Sequence, residues 1–182
     1  MRTRTSTGAA PTRRDWLRGA AVLTLGLAAA DAPPKGVGPD PVEAIRRRAA
    51  KAGLKGFHSL QSEHYAGAGD ADADFLKEAL GLCESLAASF QEYFEPKDFD
   101  VRLPGRKMAV AVLASRSSYE AFKGSPAADN EGGHYDVGDD LLVVYDFRNG
   151  AERGGVDPTR LNTFTLVHEA LHQLTFDTGL LS

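Results

Sequence analysis

Cysteine is nearly absent: Cys83 stands alone among 182 residues. No intrachain disulfide can form, so stability has to come from packing or from a bound metal. Long hydrophobic runs are also missing. The longest, residues 19–30, falls short of the about 20 apolar residues that a permanent membrane span requires. There is no basic excess, with 21 Lys and Arg against 25 Asp and Glu, which argues against a phosphate-backbone partner. Beyond residue 30 there is no internal repeat or low-complexity tract, which excludes solenoids and arrays. With 42% hydrophobic and 25% charged residues, what is left is an ordinary globular composition.

Residues 1–30 carry a basic start, the apolar run and a small-residue end, the three parts of a signal peptide. Within them, Arg13-Arg14-Asp15-Trp16-Leu17 resembles a twin-arginine export signal, with Trp16 where Phe is usual. Cleavage is expected after Ala30, because a cut after Ala32 would set Pro33 beside the scissile bond. A disordered basic leader or a misplaced start is the alternative. The resemblance implies passage through the twin-arginine export machinery to a periplasmic or extracellular destination, with no stable membrane anchor. Setting residues 1–30 aside removes five of the 21 basic and one of the 25 acidic residues, leaving 16 against 24, a net charge of −8. No nucleic acid is expected as partner.

Residues 31–55 read as a Pro/Gly-rich linker and one short helix. Asp40 caps it, Pro41 takes its first position, Glu43 completes a capping box, and it ends near Gly53. Its run of Arg46, Arg47 and Arg48 reads as a solvated face. Residues 57–67 have the texture of one half-exposed strand, with His58 and His64 on the same face as surface residues. Leu76, Leu80, Cys83, Leu86, Ala87, Phe90, Tyr93 and Phe94 recur at helical spacing up to Pro96. Cys83 lies within that stripe, so it is a buried, inert thiol and not a nucleophile. Residues 107–113 predict an interior strand. Ser117 and Glu120 predict a capped helical turn ending by Gly124. The segments GGHYD and LLVVYDF flank residues 137–140 as a hairpin whose second strand is buried. The order predicts an α+β domain with helices laid on a mixed sheet.

The last helix opens on Asp157-Pro158. Phe164, Val167, Leu171 and Leu174 are expected to form its buried stripe. His168, Glu169 and His172 form the pattern HExxH. On a helix the two histidines lie about 40° apart and about 6 Å along the axis, so both imidazoles reach one Zn²⁺. Glu169, about 100° further round, can take a proton from a water beside the metal. With five His in 182 residues, chance yields roughly 0.007 such patterns, so accident is a poor explanation. The competing reading keeps both histidines as ordinary residues at a core edge.

The segment LNTFTLVHEALHQLTFDTGL resembles the active-site helix of the zincin metallopeptidases. More narrowly, TLVHEALHQL with FDTGL after it resembles a group of exported bacterial proteins of unknown function whose signature is close to TLxHExxHQLxFNTG. Asp177 stands where that group has Asn. The resemblance covers residues 56–182, with the GGHYDVGDDLLVVYD hairpin as its second element. It implies a gluzincin-like N-terminal subdomain, zinc as cofactor, and a peptide or protein as substrate. His168 and His172 become metal ligands, Glu169 the general base, and a Glu on a later helix the third ligand.

That later helix is missing here, so the chain is expected to be a fragment of a longer product, with little turnover by itself. Asp177, about 140° and 7.5 Å beyond His172, is carried away from the metal. His134 could approach the site as a ligand, or stay a surface residue or substrate contact. A non-catalytic zincin-shaped binding module or an inactive fragment is the reading from another class.

Overall fold

A computed structural model describes residues 40–150 and 155–181. The signal-peptide and linker readings for residues 1–39 lie outside the described residues.

Asp40 does cap the first helix, α1 (Pro41–Lys51), its carboxylate accepting from the Val42 N–H at 3.0 Å. Glu43 forms no capping box; it pairs with Arg46 instead. The arginine run is only partly a solvated face. Arg48 reaches the carbonyl of Phe122 and the carboxylates of Asp136 and Asp139, tying α1 to two distant segments.

Residues 57–67, expected as one strand, turn at Ser62–Glu63–His64 and give two. They are β1 (His58–Gln61), exposed throughout, and β2 (Tyr65–Gly69), buried throughout. A texture averaged over both looked half-exposed. Gly69 shows why β2 carries small residues, since a Cβ there would run into the backbone carbonyl of Val112. Asp72 caps α2 (Ala73–Phe94), accepting from the Phe75 N–H at 2.7 Å. Cys83 is fully buried there, and burial pushes its thiol up to about 12.

The interior strand is β3 (Met108–Leu113). The next helix, α3 (Arg116–Lys123), is capped by Ser115, not Ser117, and closes on Gly124 with φ 81°. The hairpin forms as expected from β4 (Gly133–Asp136) and β5 (Leu141–Tyr145). Asp157 and Pro158 open α4 (Pro158–Asp177), which carries the HExxH residues.

The sheet runs in the order β1-β2-β3-β5-β4. The inner pairs β2–β3 and β3–β5 are parallel; both outer pairs are antiparallel. One row crosses all five strands: Leu60, Gly67, Val110, Leu142 and Tyr135. Strand alternation sends Val110 and Leu142 into one core with α2 and α4. It sends Ala111 and Val143 into the other, with α1 and α3. The domain is therefore α+β, a mixed five-stranded sheet between two helical layers. Among the described residues no helix is long and apolar enough to cross a membrane.

The buried face of α4 differs from the expected stripe. Asn162, Leu166, Ala170, Gln173 and Leu174 are buried, while Phe164 is 71% and Leu171 43% exposed. Two amides fix this orientation. Asn162 accepts from the Phe147 N–H and donates to Asp146, both at 2.9 Å. Gln173 donates to the carbonyl of Ala109 at 3.2 Å. An amide group left unmatched in a core costs about 1–3 kcal/mol; Asn162 pairs through both its oxygen and its nitrogen, while Gln173 pairs its amide N–H and leaves Oε1 without a partner among the described residues. Gly132 lets α4 come close, since a Cβ there would lie 2.6 Å from the Phe147 ring and 2.7 Å from Thr165 Oγ1.

Candidate metal centre

α4 holds His168 and His172 one turn apart on its exposed side. Their Nε2 atoms face each other at 3.2 Å, with the rings nearly perpendicular, 83° between planes. Two ligands of a tetrahedral Zn²⁺ at about 2.0–2.1 Å lie about 3.3–3.4 Å apart. The pair is thus already spaced for one ion. In one tautomer an N–H···N hydrogen bond spans the same gap, so the protein holds the arrangement at small cost. Phe164 lies nearly parallel to His168, with 6.2 Å between ring centroids and 19° between planes.

Glu169 is half-buried between α4 and β4. Burial raises its carboxyl above the usual range, against the pull of His168, His172 and the backbone N–H of Tyr135. A carboxylate shifted up toward working pH is better matched to taking and returning a proton.

His134 does not join the pair. Along β4 its side chain falls on the face of Val143, toward α3, opposite to α4. There its Nδ1 lies 2.6 Å from the Tyr119 hydroxyl, which donates to Glu131 Oε1 at 2.5 Å. With the phenol proton on Glu131, Nδ1–H of His134 is the donor to the phenol oxygen. Burial lowers the His134 pKa, with Arg48 and Lys123 adding to the effect. Partial burial works to raise Glu131, but Lys123, Tyr119 and the Ala128 N–H hold its carboxylate down at about 2.

His58 and His64 do not share a strand face. His58 is exposed on β1; His64 sits in the turn, its Nδ1 2.7 Å from Glu84 on α2. Asp177 points away from the histidines as expected. Its Oδ1 takes Arg106 at 2.8 Å, and Arg106 also holds Asp140. Among the described residues no three His, Cys, Asp or Glu side chains converge as a metal group. What these residues offer a metal is two facing imidazoles beside one carboxylate.

Beside His168 opens a cavity of about 560 Å³, lined by Thr163, Phe164, Val167 and Leu171 among others. A second cleft of about the same volume lies by His64, Arg102, Arg106 and Lys107. Its cations are engaged: Lys107 with the carbonyls of Ser62 and Glu63, Arg102 with Asp100, and Arg106 with the two aspartates. The apolar cavity is the one that adjoins the histidine pair.

Sequence reasoning missed the Tyr135 N–H behind Glu169 and the Tyr119–Glu131–Lys123 network. It also missed the exposed apolar face of α4. Only that face had left a trace, the polar Asn162 and Gln173 on the opposite side of the helix. No protein family, curated protein or solved structure matches this chain.

Proposed function

We propose that this chain carries the zinc-binding helix of an exported metallopeptidase of zincin type. The observation that carries the reading is the 3.2 Å gap between the Nε2 atoms of His168 and His172, with Glu169 beside them. His168 and His172 hold the ion, and bound zinc supplies Lewis acidity toward a scissile carbonyl and toward water. Glu169 takes the proton from the attacking water and returns it to the leaving amine. The N–H of Tyr135 keeps the carboxylate directed and orders β4 next to it. As an edge strand, β4 offers an extended peptide a place to add by backbone pairing. The cavity beside Phe164 and Leu171 offers that peptide an apolar side-chain site.

The test is Glu169→Gln in the full gene product, assayed for zinc content and for hydrolysis of a mixed peptide pool. Hydrolysis is expected to fall by about 10²–10⁴-fold with zinc retained. Equal hydrolysis by the variant contradicts the role of Glu169.

A further inference from the structure

We propose that Tyr65, Gln173 and Asp177 together hold one buried water molecule, which bridges β2 to the last turns of α4. The inference stands apart from the histidine pair. All three side chains are shut away from solvent: Tyr65 and Gln173 are 0% exposed and the Asp177 side chain 3%. Yet among the described residues nothing hydrogen-bonds Tyr65 Oη, Gln173 Oε1 or Asp177 Oδ2. Buried polar atoms in folded proteins are matched, by protein or by ordered water. Three unmatched atoms in one layer need a common partner.

The three come to the same part of the fold. Tyr65 opens β2 opposite Met108 and packs into the core under α2 and α4. Gln173 reaches the next residue of β3, donating Nε2–H to the carbonyl of Ala109 at 3.2 Å. That carbonyl can only accept, so it fixes the amide and leaves Oε1 turned away from it. Asp177 follows one turn later on the same side of α4, about 6 Å along the axis. Arg106 takes its Oδ1 at 2.8 Å and leaves Oδ2. Asp177 is near enough to Tyr65 to act on the phenol, whose pKa is raised by burial first, then by Cys83, Glu84 and Asp177. The phenol therefore keeps its proton and donates, while Gln173 Oε1 accepts. Burial, with Asp140 alongside, pushes Asp177 up to about 6, so at pH 8 it is a carboxylate and accepts as well. One donor and two acceptors match a water, which accepts from Tyr65 and gives one hydrogen to each of the others. Three hydrogen bonds are the usual complement of a buried water. A metal cation in the same place would meet the Arg106 guanidinium across Asp177 and leave the phenol proton unmatched. Arg106 is half-exposed and lines the neighbouring cleft, which gives the water a way in.

The experiment has two arms at pH 8, both with tetramethylammonium as the only monovalent cation. The first is a crystal structure of the chain. The expected result is one water peak at about 2.5–3.0 Å from Tyr65 Oη, Gln173 Oε1 and Asp177 Oδ2. No peak, a peak that misses any of the three atoms, or a direct contact of Asp177 with Gln173 through a shared proton overturns the proposal. The second arm needs no crystal: thermal unfolding of Tyr65→Phe, Gln173→Met and the double variant. Tyr65→Phe keeps the ring and should lower the unfolding temperature by about 2–4 °C, because the water loses its donor. Two residues that share one water are coupled, so the double variant should lose less than the two single losses added together. A temperature that is unchanged or rises in Tyr65→Phe is what removal of an unmatched hydroxyl gives, and it overturns the proposal. Additive losses show that no common water links the two residues and overturn it as well.

Discussion

His64 and His134 differ from His168 and His172 in what their ring nitrogens do. Each of the first two is half-buried and has Nδ1 tied to another element, to Glu84 on α2 or Tyr119 on α3. The second two are exposed and turn Nε2 toward each other at 3.2 Å. Tied histidines serve the fold, and a facing pair is free for a ligand. The same division runs along α4. Asn162, Leu166, Ala170, Gln173 and Leu174 anchor it to the sheet, while Phe164, Leu171 and the two histidines face out.

The largest effect expected from breaking this comparison is on stability. Leu174→Ala, at a fully buried position, should lower unfolding free energy by about 2–5 kcal/mol. Leu171→Ala on the other face should stay within about 0.5 kcal/mol. Urea denaturation of the two variants checks both. Equal losses would mean that α4 is rotated from the orientation described.

Next comes metal affinity. His172→Ala should weaken zinc binding by more than about 100-fold, beyond the loss seen when only a supporting partner is removed. His64→Ala should leave it unchanged. Calorimetric titration decides, and a loss of equal size in His64→Ala erases the distinction between tied and facing histidines.

A pH effect follows at the far end of α4. Burial, with Asp140 alongside, pushes the Asp177 carboxyl up to about 6 against the pull of Arg106. Its unfolded value is about 3.9. The folded chain therefore holds a proton there that the unfolded chain loses between about pH 4 and 6. The contribution of Asp177 is most favourable below that window and is lost as pH rises through it, by on the order of 2 kcal/mol. Asp177→Asn, an amide in place of the protonated acid, should remove this slope. The difference between variant and parent denaturation midpoints across pH 4–7 isolates it from other carboxylates. A slope unchanged in the variant contradicts the assignment.

The smallest effect is expected at the tied histidine. Tyr119→Phe removes the hydroxyl between Glu131 and His134 and should cost about 1–2 kcal/mol of stability. Zinc affinity should not change.

How much of this could be read in advance depended on the range of the interactions. Asp157-Pro158, the β3 run and the β4–β5 hairpin were legible because caps, continuous apolar runs and turns act over a few residues. The facing histidine pair was legible because a helix fixes the separation of His168 and His172. The buried face of α4 was not, because it is set by Asn162 meeting Phe147 and Asp146, and by Gln173 meeting Ala109, 64 residues away. An apolar stripe through Phe164 and Leu171 looked like core until those amides were placed. The β1–β2 turn was obscured in the same way. His64 reads as a strand residue until Glu84, 20 residues on, accepts its backbone N–H. His134 depended on strand parity, since one step along β4 moves a side chain from α4 to α3.

X-ray absorption at the zinc edge, on the zinc-loaded chain, measures the central claim most directly. The account expects at least two imidazole nitrogens at about 2.0–2.1 Å, lost in the double variant His168→Ala/His172→Ala. A shell of oxygen alone, or one that survives in the double variant, contradicts it.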